Sequence, residues 1–124
     1  MRFAMLVLLL IAGCAAPPAS QKFVVFFNEW SSALDEPANG TVSAAASWAQ
    51  AHPGQIVTVS GFAGPTAGPQ TADALSSTRA DVVSDALVKL GVPPARIVRA
   101  SYGATGYTSA VIESRRVEIQ IAQP

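Results

Sequence analysis

Arg79 is the residue of this sequence that most plainly lacks a partner. Its neighbours three and four positions away are Leu75, Ser76, Val82 and Val83, so a helix through this stretch offers its guanidinium no carboxylate. A planar guanidinium can grip a carboxylate with two parallel hydrogen bonds. Arg79 therefore bonds across the fold, meets an anionic ligand, or faces water. Arg115 and Arg116 supply two more guanidiniums as strand-edge charges or ligand contacts, with Arg116 and Glu118 on one strand face. Glu29 and Trp30 place a carboxylate next to an aromatic surface, just after an apolar run. The loop Ser60-Gly61-Phe62-Ala63-Gly64-Pro65-Thr66 contains nothing that ionises, yet it leaves a β-branched run at an edge where ligands often sit.

Other chemistry is poorly provided for. The single histidine, His52, precedes Pro53-Gly54 in a helix-stop signal, and the single cysteine, Cys14, lies near the N-terminus. No Ser-His-Asp set or metal-ligand cluster can be assembled from what remains. Asp73, Asp81 and Asp85 share one helical stretch, the usual pattern of a solvated outer face. The expectation is a binding module, not an enzyme, with no cofactor. Eight Lys and Arg balance eight Asp and Glu, which leaves no electrostatic footprint for nucleic acid.

The N-terminus sets the compartment. Met1-Arg2-Phe3 carries the only charge before Lys22, and residues 4–11 are almost unbroken Leu, Val, Ala, Met and Ile. Such a run is too short for a bilayer, which takes about 20 apolar residues, and it reads as an export signal. Ile11-Ala12-Gly13-Cys14 resembles the lipobox of bacterial lipoproteins; an ordinary secretory signal with an incidental cysteine is the other reading. The resemblance implies cleavage after residue 13 and acylation of Cys14, palmitate-type chains included. Two chains suffice for stable membrane anchoring. Ala15, in place of Asp, points by the same resemblance to the outer membrane of a Gram-negative envelope, with the domain facing the periplasm. The expected organisation is a signal peptide over 1–13, a lipidated cysteine and linker over 14–21, and one domain over 22–124.

Within that domain Phe23-Val24-Val25-Phe26-Phe27 has no alternation, which suits a strand buried on both faces. Asp35-Glu36-Pro37 starts a helix, with acid at its positive end and proline in its first turn. Val42, Ala45, Ala46 and Ala49 form its apolar stripe, and His52-Pro53-Gly54 stops it. A second strand spans about 55–62. A second helix spans about 73–90, with Leu75, Val82, Val83, Ala86, Leu87 and Leu90 inward, Asp85 paired with Lys89, and Gly91 closing it. Strands follow at about 97–102 and 117–121, the last alternating Val117, Ile119 and Ile121 with polar residues. The order β-α-β-α-β-β predicts an α/β (α+β) two-layer sandwich on a mixed sheet. The three earlier strands can run parallel, and a short final connection suggests an antiparallel partner.

Four stretches together resemble the OmpA-like peptidoglycan-associated domain. They are Val25-Phe26-Phe27-Asn28-Glu29-Trp30-Ser31-Ser32-Ala33-Leu34, Leu75-Ser76-Ser77-Thr78-Arg79-Ala80-Asp81-Val82-Val83, Gly91-Val92-Pro93-Pro94-Ala95-Arg96-Ile97 with Ser101-Tyr102-Gly103, and Arg115-Arg116-Val117-Glu118. The resemblance runs from Phe23 to Ile121 and implies non-covalent binding of the peptide stem of peptidoglycan, at its diaminopimelate residue. It assigns Arg79 to the ligand carboxylate. It places an aspartate for the ligand ammonium fifteen residues earlier, where this chain has Gly64. Half of the expected charge pair is missing, and the chain either binds through an altered pocket or has turned the fold to a protein partner. Glu29 is a candidate for the missing carboxylate and Trp30 for a wall of the pocket. The alternative is that Glu29 is an exposed loop charge and Trp30 caps the core edge.

Overall fold

The computed structural model describes residues 19–64, 68–104 and 114–124. The signal segment, Cys14, most of the linker, Pro65-Thr66 and the stretch before the last strand lie outside the described residues. Four strands and two helices follow in the expected order: β1 (Gln21–Phe26), α1 (Glu36–Ala51), β2 (Ile56–Gly61), α2 (Pro69–Lys89), β3 (Ile97–Ser101) and β4 (Arg116–Ala122). One sheet has the spatial order β1-β4-β2-β3. β2 and β3 are parallel, and β4 is antiparallel to both β1 and β2. The last strand therefore does not fold back on β3. It crosses β2 and fills the centre of the sheet, where Val117, Ile119 and Ile121 are fully buried.

Both helices cover the same sheet face, and among the described residues no helix covers the opposite one. That layering corrects the reading of β1 as buried on both sides. Val25 and Phe27 enter the core while Phe26 remains 43% exposed, because β1 is an edge strand with a helix on one side only. The α1 signals act as expected. Asp35 Oδ1 accepts a hydrogen bond from the Ala38 amide at 2.9 Å, satisfying one of the orphan donors of the first turn. Ala38, Val42, Ala45, Ala46 and Ala49 form the buried stripe, and the helix ends at Ala51.

α2 departs from expectation in two respects. It begins a turn early, with Pro69 in its first turn after Gly68 at φ 85°, since proline at a helix start is as natural as proline in a loop. Its buried face is Ala72, Ser76, Arg79, Ala80, Val83, Ser84 and Leu87, while Leu90 is 44% exposed. Small residues at 72, 76, 80 and 84 face the sheet because the helix lies very close to β2. A Cβ added at Gly61 would overlap the main-chain oxygen of Ser76. Asp85 bonds not to Lys89 but, with Asp81, to Arg99 on β3, at 3.1 and 2.9 Å. These are exposed pairs of small energetic weight.

On the open face Glu118 accepts from Lys22 at 3.1 Å and from Arg116 at 3.2 Å. Partial burial would raise its pKa, but hydrogen bonds from Lys22 and Arg116 outweigh that and hold it below 4.5. A carboxylate depressed in the folded state stabilises above its unfolded pKa, and that contribution disappears as pH falls through the folded value. Glu118→Gln should therefore lose less stability than wild type when urea midpoints are compared between pH 6 and pH 3. Equal losses would show that these pairs have no bearing on folding.

Candidate functional site

Arg79 is completely enclosed, at 0% exposure. Its Nε donates to the Ser31 carbonyl at 2.8 Å, Nη1 to the Phe62 carbonyl at 3.2 Å and Nη2 to the Asn28 carbonyl at 3.1 Å. The guanidinium also lies 5.2 Å from the centre of the Phe27 ring. Of the three possibilities open from sequence, bonding across the fold is the one adopted. No carboxylate lies within ion-pair distance among the described residues. Burial, and then the charge of Arg115, lower its pKa from 12.5 to about 10. The side chain remains a cation at neutral pH, with three of its five N–H groups committed to main chain.

Those bonds hold a turn. Asn28-Glu29-Trp30-Ser31 closes with the Ser31 amide donating to the Asn28 carbonyl at 3.1 Å. Trp30 has φ 59°, the only positive φ outside glycine among the described residues. A bulky side chain in the left-handed region is strained and persists only where surrounding bonds impose it. Arg79 supplies them from inside, and Trp30 is held outward at 56% exposure. It does not cap the core edge. Glu29 is exposed in the same turn and forms no ion pair with Arg79, so the structure does not bring it to the position of the missing acid.

Arg115 meets this group from the start of β4. Its carbonyl accepts from the Phe27 amide at 2.8 Å, which places it beside the residue whose ring Arg79 covers. Its Nε is buried without a hydrogen-bond partner. Arg116, one position on, belongs to the other face of the sheet. It bonds Glu118 and lies 4.0 Å from the centre of the Phe62 ring, which in turn stacks on Tyr102 at 5.2 Å. The adjacent arginines thus have different roles that sequence spacing alone did not separate.

Gly64 stands at the rim. Its φ is not positive, so the backbone does not demand glycine. An added Cβ would lie 3.1 Å from Ser114 Oγ, a contact that a small shift of the hydroxyl relieves. Ser76 was missed as a site-building residue. It is fully buried, donates to the Asp73 carbonyl at 2.9 Å and accepts from the Gly103 amide at 3.0 Å, joining α2 to the end of β3. Its place in the 72-76-80 stripe of small residues was the available signal. Gly103, at φ 55°, has no room for a side chain because Asp73 occupies the space. The assembled site is a buried arginine clamp, a second arginine whose Nε has no partner among the described residues, and a rim where Gly64 brings no carboxylate.

Comparisons with known proteins agree on the relationship. A family model described as OmpA family matches residues 26–117. The peptidoglycan-associated lipoprotein of Brucella melitensis biotype 1 is 36% identical over 98 residues, covering 74% of this chain and 58% of that protein. The chain thus spans less than two thirds of the length of that relative. Among solved structures, the peptidoglycan-associated lipoprotein from Burkholderia pseudomallei superposes with a TM-score of 0.72 at 23% identity, covering 80% of this chain and 89% of that one. The C-terminal domain of Helicobacter pylori MotB gives 0.71 at 27% identity, with 84% and 85% covered.

Proposed function

We propose that this chain, which belongs to the OmpA family, binds peptidoglycan non-covalently through its peptide stem and holds the envelope to the cell wall. On this reading it is an outer-membrane lipoprotein anchored through Cys14, its domain faces the periplasm, and it acts by binding alone. The names of its relatives support wall association. The observation that carries the reading is the Arg115 Nε, buried with no hydrogen-bond partner among the described residues, close to the enclosed Arg79. A buried N–H without a partner carries a penalty, which an acceptor that reaches it relieves. The carboxylates of a wall stem provide one. Arg79 acts as a positioning residue that shapes the Asn28–Ser31 turn, and Arg115 as the contact.

The pocket is altered because Gly64 brings no acid for a ligand ammonium. A hydrogen bond to a charged group is worth about 1.5–3 kcal/mol, roughly 10- to 150-fold in affinity. Many tethered copies beside a polymeric wall offset a loss of that size by avidity. The same gap favours a second reading, in which the fold has left the wall and serves a protein partner. Co-sedimentation of the purified full chain with peptidoglycan separates the two. Wild type is expected to pellet above a control, and Gly64→Asp more strongly, as stems with a free ammonium are recruited. Absence of wild-type pelleting would leave the protein-partner reading.

A further inference from the structure

The chain enters the domain at the pole of the sheet opposite Arg79. The Ala19 carbonyl accepts a hydrogen bond from Gln55 Nε2, and Gln55 is itself buried at 3% exposure. The Gln55 amide donates to the His52 carbonyl at 3.1 Å. Arg96 ties these residues to the start of β3, its Nε donating to the Gln55 carbonyl at 3.0 Å and its Nη2 to that of His52 at 2.8 Å. Gln50 Nε2 adds the end of α2 by donating to the Leu90 carbonyl at 2.8 Å. Strand register brings the starts of β1, β2 and β3 and the end of β4 to this pole, and Phe26, Gly61, Ser101 and Arg116 to the other. The length of β2 sets the two poles roughly 20 Å apart. Ala19 is thus latched at the end of the fold away from the clamp.

That end has a surface chemistry of its own. Leu90 is 44% exposed, Pro93, Pro94 and Ala95 are exposed with it, and Lys89 and Arg96 bracket the connection they form. No Asp or Glu occurs in residues 19–22, 50–56, 86–97 or 119–124, the stretches that meet here. Asp85, the nearest acid along α2, is held by Arg99. Glu29, Asp35, Glu36 and Asp73 are exposed at the clamp pole instead. Five residues separate Cys14 from Ala19, a reach of at most roughly 18 Å. With acyl chains on Cys14, so short a tether turns the latched pole, and not the clamp, to the bilayer. We infer that the Leu90–Arg96 connection docks on the anionic headgroups of the membrane that holds the anchor. Lys89 and Arg96 attract the phosphates, an attraction confined to about a Debye length that the tether satisfies. Leu90 and the two prolines meet the interface, and the clamp stands away from the lipid, toward the wall. The inference rests on the reading of Cys14 as the anchor and adds the orientation that the anchor imposes.

The test uses the full chain, purified from membranes and reconstituted in phosphatidylcholine vesicles with or without phosphatidylglycerol. Once Cys14 is acylated an introduced cysteine is the only free thiol, so Ala95→Cys and Glu29→Cys each carry a single nitroxide. Electron spin resonance reads the access of a water-soluble nickel reagent to each label. The Ala95 label is expected to be shielded in vesicles that contain phosphatidylglycerol, and the Glu29 label to stay open to water. Lys89→Gln should lower the ratio of docked to free domain about fivefold, the equivalent of the ~1 kcal/mol that one lysine contributes at an anionic surface. An Ala95 label open to water in both kinds of vesicle overturns the inference, as does a shielded Glu29 label. Shielding that is equal with and without phosphatidylglycerol and unchanged by Lys89→Gln also overturns it. In each of these cases acyl chains found on Cys14 by mass spectrometry leave the anchor standing while the docking fails. A chain that carries none removes the anchor and the inference together.

Discussion

Arg79→Ala is expected to lose about 3–5 kcal/mol of folding stability, the range for removing one side of a buried, hydrogen-bonded charge. Three carbonyls, of Asn28, Ser31 and Phe62, lose their donor at once, and a buried carbonyl left without a partner carries a penalty of about 1–3 kcal/mol. The cavity left by the largest fully enclosed side chain adds to that loss. Removing the buried charge offsets part of the loss, since burial already lowers its pKa to about 10. The offset is partial because the three carbonyls were arranged for a cation. Against a total stability of about 5–15 kcal/mol for a small domain, the variant retains little margin. Arg79→Lys should fall between, because an ammonium on a flexible stem cannot reproduce the planar fork that spans three acceptors. Urea unfolding followed by tryptophan fluorescence reads both the midpoint and the turn that carries Trp30. A midpoint for Arg79→Ala within error of wild type would mean that the guanidinium is not the clamp described. Loss of wall binding in Arg79→Ala alone is therefore weak evidence for a ligand contact.

The second large effect is expected at Gly61. An alanine Cβ there would overlap the main-chain oxygen of Ser76 and stand 2.9 Å from its carbonyl carbon and 3.2 Å from Ala80 Cβ. The obstacle is helix backbone and cannot rotate away. α2 must move off β2, which loosens packing around Val59 and Val83 and draws Arg79 from the Phe62 carbonyl. Overpacking a tight interior typically costs about 1–3 kcal/mol and more where backbone must shift, so Gly61→Ala should lie at or above about 3 kcal/mol. Gly64→Ala is the internal control. Among the described residues its Cβ meets the Ser114 side chain alone, at 3.1 Å from the hydroxyl, with no positive φ, and the change should stay within about 1 kcal/mol. Calorimetric midpoints of the two variants should differ widely. Similar midpoints would contradict the close approach of α2 to β2.

The element order and the α1 caps were legible in sequence because both depend on local signals. Asp35 and Pro37 act within one turn, and the alternation of Val117, Ile119 and Ile121 reports a half-buried strand wherever it is placed. The centre position of β4 was not legible, because strand adjacency is set by long-range pairing that leaves no local mark. The inward face of α2 was misread for a related reason. Hydrophobicity favoured Leu75, Val82 and Leu90, but the proximity of β2 at Gly61 selects the small residues Ala72, Ser76 and Ala80 and brings Arg79 inside with them. A glycine ending a strand and a stripe of alanine and serine on the next helix were complementary signals that only the fold connects. The candidate site was half legible. Arg79 stood out for want of an acid on its own helix, yet sequence could not show that its partners would be carbonyls. Arg115 and Arg116 looked alike until the pleat separated them.

The central claim is that Arg115, held beside the Arg79 clamp, is the cation that meets the wall. Its most direct test is co-sedimentation of wild type and Arg115→Gln with purified peptidoglycan at matched concentration, alongside their urea midpoints. The predicted result is a loss of apparent affinity of roughly tenfold or more, the scale of one charge-assisted contact, with a midpoint equal to or above that of wild type. Wild-type pelleting by a fully folded Arg115→Gln would contradict it.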